Sequence, residues 1–181
     1  MDLNEHIQEL ISVLEGAMSV DDTQDKLREV VDILRDAKEK GNTVYTFGNG
    51  GSHSTASHFA CDLLKACGMK AICVSDIIPS ILAYMNDNGA HTMFDSILNN
   101  VLESGDILVA FSCSGNSENV VETLHTSSYV TSILFTGDVG GEAIERADVA
   151  IRVYNDNIRI QESAHSAYCH AIVEELLDGD M

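Results

Sequence analysis

Apolar positions recur at steps of three and four through the first forty residues, then give way to short continuous runs. Leu3, Ile7, Leu10, Ile11 and Leu14 define an amphipathic helix over about residues 2–18. Leu27, Val30, Val31, Ile33, Leu34 and Ala37 define a second, with Asp21 or Asp22 as its cap, Lys38 and Lys40 at its cationic end, and Gly41 as its stop. After it, residues 43–47, 70–74, 106–111, 131–135 and 148–153 form short apolar runs of the kind buried in a parallel sheet.

Helical spacing separates these runs. Ala56, Phe59, Ala60, Leu63 and Leu64 follow the first; Pro79 opens a short helix to about Met85, residues 86–89 break the chain, and a further helix covers about 91–101. Val120, Val121 and Leu124 mark a helix to about Thr126, residues 136–141 lead a short helix, and the last helix covers about 158–177. The alternation predicts an α/β fold with a five-stranded parallel doubly wound sheet flanked by helices, preceded by two N-terminal helices. Residues 1–41 are expected to form a helical hairpin that packs on the core and on neighbouring subunits, and residues 42–181 the α/β domain.

Two turns on the ligand-bearing edge of such a sheet carry the chemistry. Residues 112–117 (SCSGNS) lie where an apolar strand stops and a helix opens. A helix start offers unpaired N–H groups and partial positive charge, so Ser112, Ser114 and Ser117 add hydroxyl donors to a phosphate cradle that needs no lysine; an ordinary N-cap turn favours the same residue types. The earlier turn, 48–52 (GNGGS), is neither Gly-x-Gly-x-x-Gly nor a Walker loop, so no nucleotide cofactor is expected. On the helix that follows, His58 and Asp62 are four residues apart and share a face. On the last helix, at about 100° per residue, Glu162, Ser166 and His170 line one face about 80° wide, while Gln161, roughly 180° from His170, shares another face with His165. A polar stripe of this kind also suits a solvated helix surface.

Composition narrows the classes of function. A chain of 181 residues that is 45% hydrophobic, with a single proline, fits one compact domain. No basic leader followed by an apolar core opens the sequence and no apolar run approaches spanning length, so neither export nor a membrane partner is expected. Cys61, Cys67, Cys73, Cys113 and Cys169 form no C-x-x-C pair and no even framework, which predicts reduced, mostly buried thiols and a cytoplasmic location. A formal charge of −19 repels nucleic acid and anionic membrane. It repels a sugar phosphate too, so local dipoles and hydroxyls must capture one against the global field.

Taken together, residues 48–60 (GNGGSHSTASHFA), Asn86-Asp87, residues 112–117 and residues 159–162 (RIQE) resemble the phosphosugar isomerase (SIS) family, and within it the isomerases of sedoheptulose 7-phosphate and glycero-manno-heptose 7-phosphate. The resemblance spans nearly the whole chain. It implies the SIS fold, a homotetramer with sites shared between subunits, and aldose–ketose isomerisation of a phosphorylated sugar. The family's substrate loops fall on Asn49, Gly50, Gly51 and Ser52 and on Asn86 and Asp87, and its phosphate loop on Ser112, Cys113, Ser114 and Ser117. Its zinc ligands fall on His58, Asp62, His170 and Glu162, with Asp62 and His170 also the catalytic pair. Two departures stand out. Asp62 replaces a glutamate, and Glu162 lies where a glutamine is usual, Gln161 matching it only through a one-residue insertion. The link 65–70 also lacks the family's longer basic loop. The same fold serves regulators without turnover, which bind sugar phosphates or associate with a replication initiator.

Overall fold

The computed structural model describes residues 2–19 and 22–179. In chain order the elements are α1 (Leu3–Ala17), α2 (Thr23–Lys40), β1 (Thr43–Gly48), α3 (Gly50–Lys65), β2 (Lys70–Cys73), α4 (Ile78–Asn88), α5 (Asp95–Leu98), β3 (Ile107–Ser112), α6 (Glu118–Thr126), β4 (Thr131–Gly137), β5 (Val149–Val153) and α7 (Ile158–Asp178). Helix α1 opens with a capping box, in which Glu5 N–H donates to the Asp2 carboxylate at 2.9 Å and Asp2 N–H to the Glu5 carboxylate at 2.8 Å. Asp21, one of the two expected caps of α2, lies outside the described residues. Asp22 does not cap the backbone with its side chain but pairs with Lys26 one turn on, at 2.8 Å. Gly41 ends α2 at φ +71°, a left-handed conformation that costs glycine little.

The strands are ordered β2-β1-β3-β4-β5 and every neighbouring pair is parallel. Successive residues alternate between two cores. Val44, Ile107, Val109, Phe111, Ile133, Phe135 and Ile151 face the helices α2, α3 and α7. Tyr45, Phe47, Leu108, Ala110 and Leu134 face the opposite side, with Ile81 of α4, Leu98 of α5 and Leu124 of α6. The period of two in the side chains therefore builds a core on each face, which is what makes the sheet doubly wound. Helix α2 belongs to the first core through Leu27, Val30, Val31, Leu34 and Ala37, and both leading helices pack on α7. Leu10, Val13 and Leu14 dock α1, whereas Leu3, Ile7 and Ile11 remain exposed on it.

Two local expectations are corrected. The chain does not break at Asn86–Asn88: α4 continues through them and stops at Gly89, whose φ of +99° only a glycine adopts readily. In place of a helix over 91–101 there is a 3₁₀ turn, Ala90–Thr92, and the single-turn α5. Met93, Phe94, Ile97 and Leu98 are drawn into the second core as two adjacent pairs, and Asn100 folds back to donate to Ser96 C=O at 2.7 Å. After β4, Gly140 and Gly141 at φ +72° and +58° turn the chain into the expected short helix, which is a 3₁₀ segment, Glu142–Glu145.

Candidate active site

Strand order reverses between β1 and β3, and the crevice outside the strand C-termini at such a point is where open α/β sheets bind ligands. The two Gly/Ser turns leave from these two strands, so they face each other across the crevice. Asn49 on the first turn and Asn119 in the opening turn of α6 exchange side-chain amide hydrogen bonds at 3.0 Å in both directions, tying the first turn to the helix that follows the second.

Beside this tie lies a cavity of about 250 Å³ bounded by Gly50, Gly51 and Ser52 from the first turn, Ser114 and Ser117 from the second, and Glu162 of α7. Ser117 precedes α6 and its hydroxyl is not committed to capping, while the buried Ser112 Oγ has no hydrogen-bond partner among the described residues. Uncommitted hydroxyls at a helix start are donors waiting for an acceptor, which is the chemistry of an anion cradle. Cys113 shares the turn, and burial pushes its thiol up to about 11, with Ser52 Oγ 3.9 Å from its sulfur.

Helices α3 and α7 run side by side and meet in rungs. Glu162 lies over Gly51, where a Cβ would strike its carboxylate. One turn on, Thr55 Oγ1 and Ser166 Oγ are 3.1 Å apart. Further along, His58 Nε2 is 3.1 Å from His170 Nε2, and Asp62 Oδ2 is 3.3 Å from the first and 3.9 Å from the second. The stripe on α7 is therefore paired with α3 rather than merely solvated. Its other face is structural: Gln161 is buried, donates to Asn155 C=O at 2.6 Å and covers Gly137. His165, fully enclosed against Phe111 and Phe135, lies 3.1 Å from Thr136 C=O, and burial pulls its imidazole down to about 4. Glu162 lines the cavity described above, and Gln161 lines an adjoining one with Cys113, Ser114 and Asn116.

His58, Asp62 and His170 form one of two groups of three potential ligands among the described residues. Ligands at about 2.0–2.1 Å from a tetrahedral ion are roughly 3.3 Å from one another, and the three spacings here bracket that value, so the residues fit zinc. Glu162 is not in this group; it stays at the Gly51 rung. Asn86 and Asp87 sit exposed on the last turn of α4, bonded to each other at 2.7 Å, and do not line the cradle. The second group, His53, Cys73 and Asp76, was not foreseen. Its signal was the placement of Asp76 just past a strand end on the ligand-bearing edge.

A model of the SIS domain matches residues 6–129. The phosphoheptose isomerase of Hamiltonella defensa is 34% identical over 176 residues, covering 92% of this chain and 84% of that protein. The probable phosphoheptose isomerase of Thermoplasma acidophilum is 31% identical over 155 residues, covering 82% of this chain and 85% of the relative. Among solved structures, the phosphoheptose isomerase GmhA from Neisseria gonorrhoeae superposes with a TM-score of 0.91 at 23% identity, covering 96% of each chain.

Proposed function

The chain belongs to the SIS domain family, and on that premise we propose that it is an aldose–ketose isomerase of heptose biosynthesis, interconverting sedoheptulose 7-phosphate and glycero-manno-heptose 7-phosphate. The observation that carries this reading is the meeting of a carboxylate and two imidazoles at the α3–α7 rung, on the helix that begins in the anion cradle. Ser112, Ser114 and Ser117 hold the phosphate at the start of α6. Asn49, Gly50, Gly51 and Ser52 approach it from the other side of the crevice, and Glu162 accepts hydrogen bonds from sugar hydroxyls.

The reaction moves a proton between neighbouring carbons. From the ketose, a base removes a C1 proton while an acid protonates the C2 oxygen, giving a cis-enediol; a proton is then returned to C2 as the C1 hydroxyl loses its own, giving the aldose. Asp62 and His170 fill these paired roles, each acting alternately as acid and base. His58, Asp62 and His170 would hold zinc through one atom each, which leaves Asp62 its second carboxylate oxygen and His170 its other ring nitrogen for the proton transfers; Glu162 is the remaining donor that the family resemblance assigns, and a bound zinc supplies Lewis-acid polarisation of the substrate oxygens. Product analysis after incubation with sedoheptulose 7-phosphate, before and after metal removal by a chelator, tests both parts. Aldose formation that chelation abolishes and zinc restores is the expected result; full activity in protein stripped of zinc contradicts the metal.

The cradle has its own test. Two hydroxyl bonds to a charged phosphate are worth on the order of 1.5–3 kcal/mol each, so Ser114→Ala combined with Ser117→Ala weakens sugar-phosphate binding at least about 100-fold. Calorimetric titration reads this, and undiminished affinity removes the site.

The exposed Leu3, Ile7 and Ile11 stripe on α1 supports a homotetramer, with Asn86 and Asp87 serving a neighbouring subunit's site. Sedimentation is expected to give a tetramer; a stable monomer with full activity contradicts this. The five free thiols, four of them buried and Cys61 exposed, favour the cytoplasm. Among the described residues no helix is long and apolar enough to cross a membrane.

A further inference from the structure

We propose that His53, Cys73 and Asp76 form a metal site, separate from the His58–Asp62–His170 group and taking zinc or another borderline divalent ion. The inference is independent of the isomerase reading. The three residues come from different elements that converge at the C-terminal edge of the sheet: the first turn of α3, the last residue of β2, and the 3₁₀ turn Val74–Asp76 that follows it. One ligand atom from each lies within 4.8 Å of the other two. His53 Nε2 is hydrogen-bonded to Asp76 Oδ1 at 2.6 Å, a contact that an ion seated between them would open to about 3.3 Å, and Ser57 Oγ donates to Asp76 Oδ2 at 2.7 Å. The serine thus orients the carboxylate from behind and leaves its other oxygen toward the histidine, the outer support that metal-binding carboxylates characteristically have.

The donor set selects the ion. Sulfur, imidazole nitrogen and carboxylate oxygen together suit zinc or cobalt(II), whereas magnesium and calcium want oxygen throughout. Cys73 is buried, which closes the sheet side of the site. On the other side, a cavity of about 380 Å³ reaches His53 beside Asn49 and Ser75, giving an ion its entry and a water its place as fourth ligand. The location gives the metal a task. Strand β2 is a four-residue edge strand paired only with β1, and an ion joining its end to α3 clips that edge onto the helix whose first turn borders the anion cradle.

Cobalt(II) titration of the full-length, untagged, metal-stripped protein is the test, because a thiolate ligand adds a near-ultraviolet charge-transfer band that nitrogen and oxygen ligands do not. In a His170→Ala background, which disables the other group, the band is expected to saturate at one ion per chain and cobalt to raise the melting temperature. Adding Cys73→Ser is expected to abolish the band. Adding His53→Ala, a partly exposed position that leaves the thiol in place, is expected to weaken cobalt binding about 10-fold or more. Absence of the band, its survival in the Cys73→Ser protein, or unchanged affinity in the His53→Ala protein overturns the proposal. None of these outcomes bears on whether sedoheptulose 7-phosphate turns over.

Discussion

His170→Ala is expected to lower isomerase turnover by about 10²–10⁴-fold while leaving sugar-phosphate affinity within a few-fold of the parent, the usual span for losing one general acid–base group. The split follows from geometry. The proposed phosphate contacts lie in the serine turn before α6 and in the Asn49–Ser52 turn, whereas His170 sits near the far end of α3 beside Asp62. Asp62→Asn keeps the shape and removes the base, so it is expected to fall by a similar factor. Asp62→Glu adds the methylene that the family carries and is expected to retain activity or raise it. Rates and affinities measured together read the prediction; a His170→Ala protein that loses binding and turnover in proportion would place His170 in substrate capture instead.

Gly115→Ala is expected to be the most damaging single substitution in the cradle, costing about 3 kcal/mol or more of stability and releasing the phosphate. Gly115 holds φ +61°, and a Cβ there would strike the Gly140 carbonyl and the Gly141 nitrogen. The serine turn and the glycine turn after β4 touch backbone to backbone, fastened by Ala143 N–H to Gly115 C=O at 2.9 Å and Gly137 N–H to Cys113 C=O at 3.0 Å. Nothing flexible stands there to yield. Gly68→Ala is the control: its φ is +64° but the space around it is open, so it carries only the left-handed strain, about 1–2 kcal/mol. At roughly 2–4 °C per kcal/mol for a chain of this size, Gly115→Ala should melt several degrees below Gly68→Ala. Equal melting temperatures would contradict the backbone contact.

Much of this arrangement was legible in the residue order because period carries direction. Alternation in β3 puts Leu108 and Ala110 on one face and Val109 and Phe111 on the other, and both cores follow. The angle around α7 separates Gln161 and His165, which are buried, from Glu162, Ser166 and His170, which meet α3. What stayed hidden depends on which segments become neighbours. Asn119 reads as an ordinary first-turn residue until strand order sets β1 beside β3 and brings it to Asn49. His53 and Asp76 meet only because β2 lies alongside β1 beneath α3. Residues 91–101 carry enough apolar positions for a helix, yet anchoring Met93, Phe94, Ile97 and Leu98 in the second core leaves room for one turn. Asn86 and Asp87 resemble a substrate loop, but within one chain they stand apart from the cradle that such a loop would serve.

The most direct test of the central claim is turnover of sedoheptulose 7-phosphate in deuterated water, followed by nuclear magnetic resonance of the products. Proton transfer through an enediol, with Asp62 and His170 exchanging with solvent, predicts an aldose phosphate carrying deuterium at C2. Aldose formed with only protium at C2, or a sugar phosphate that binds without turning over, would contradict it.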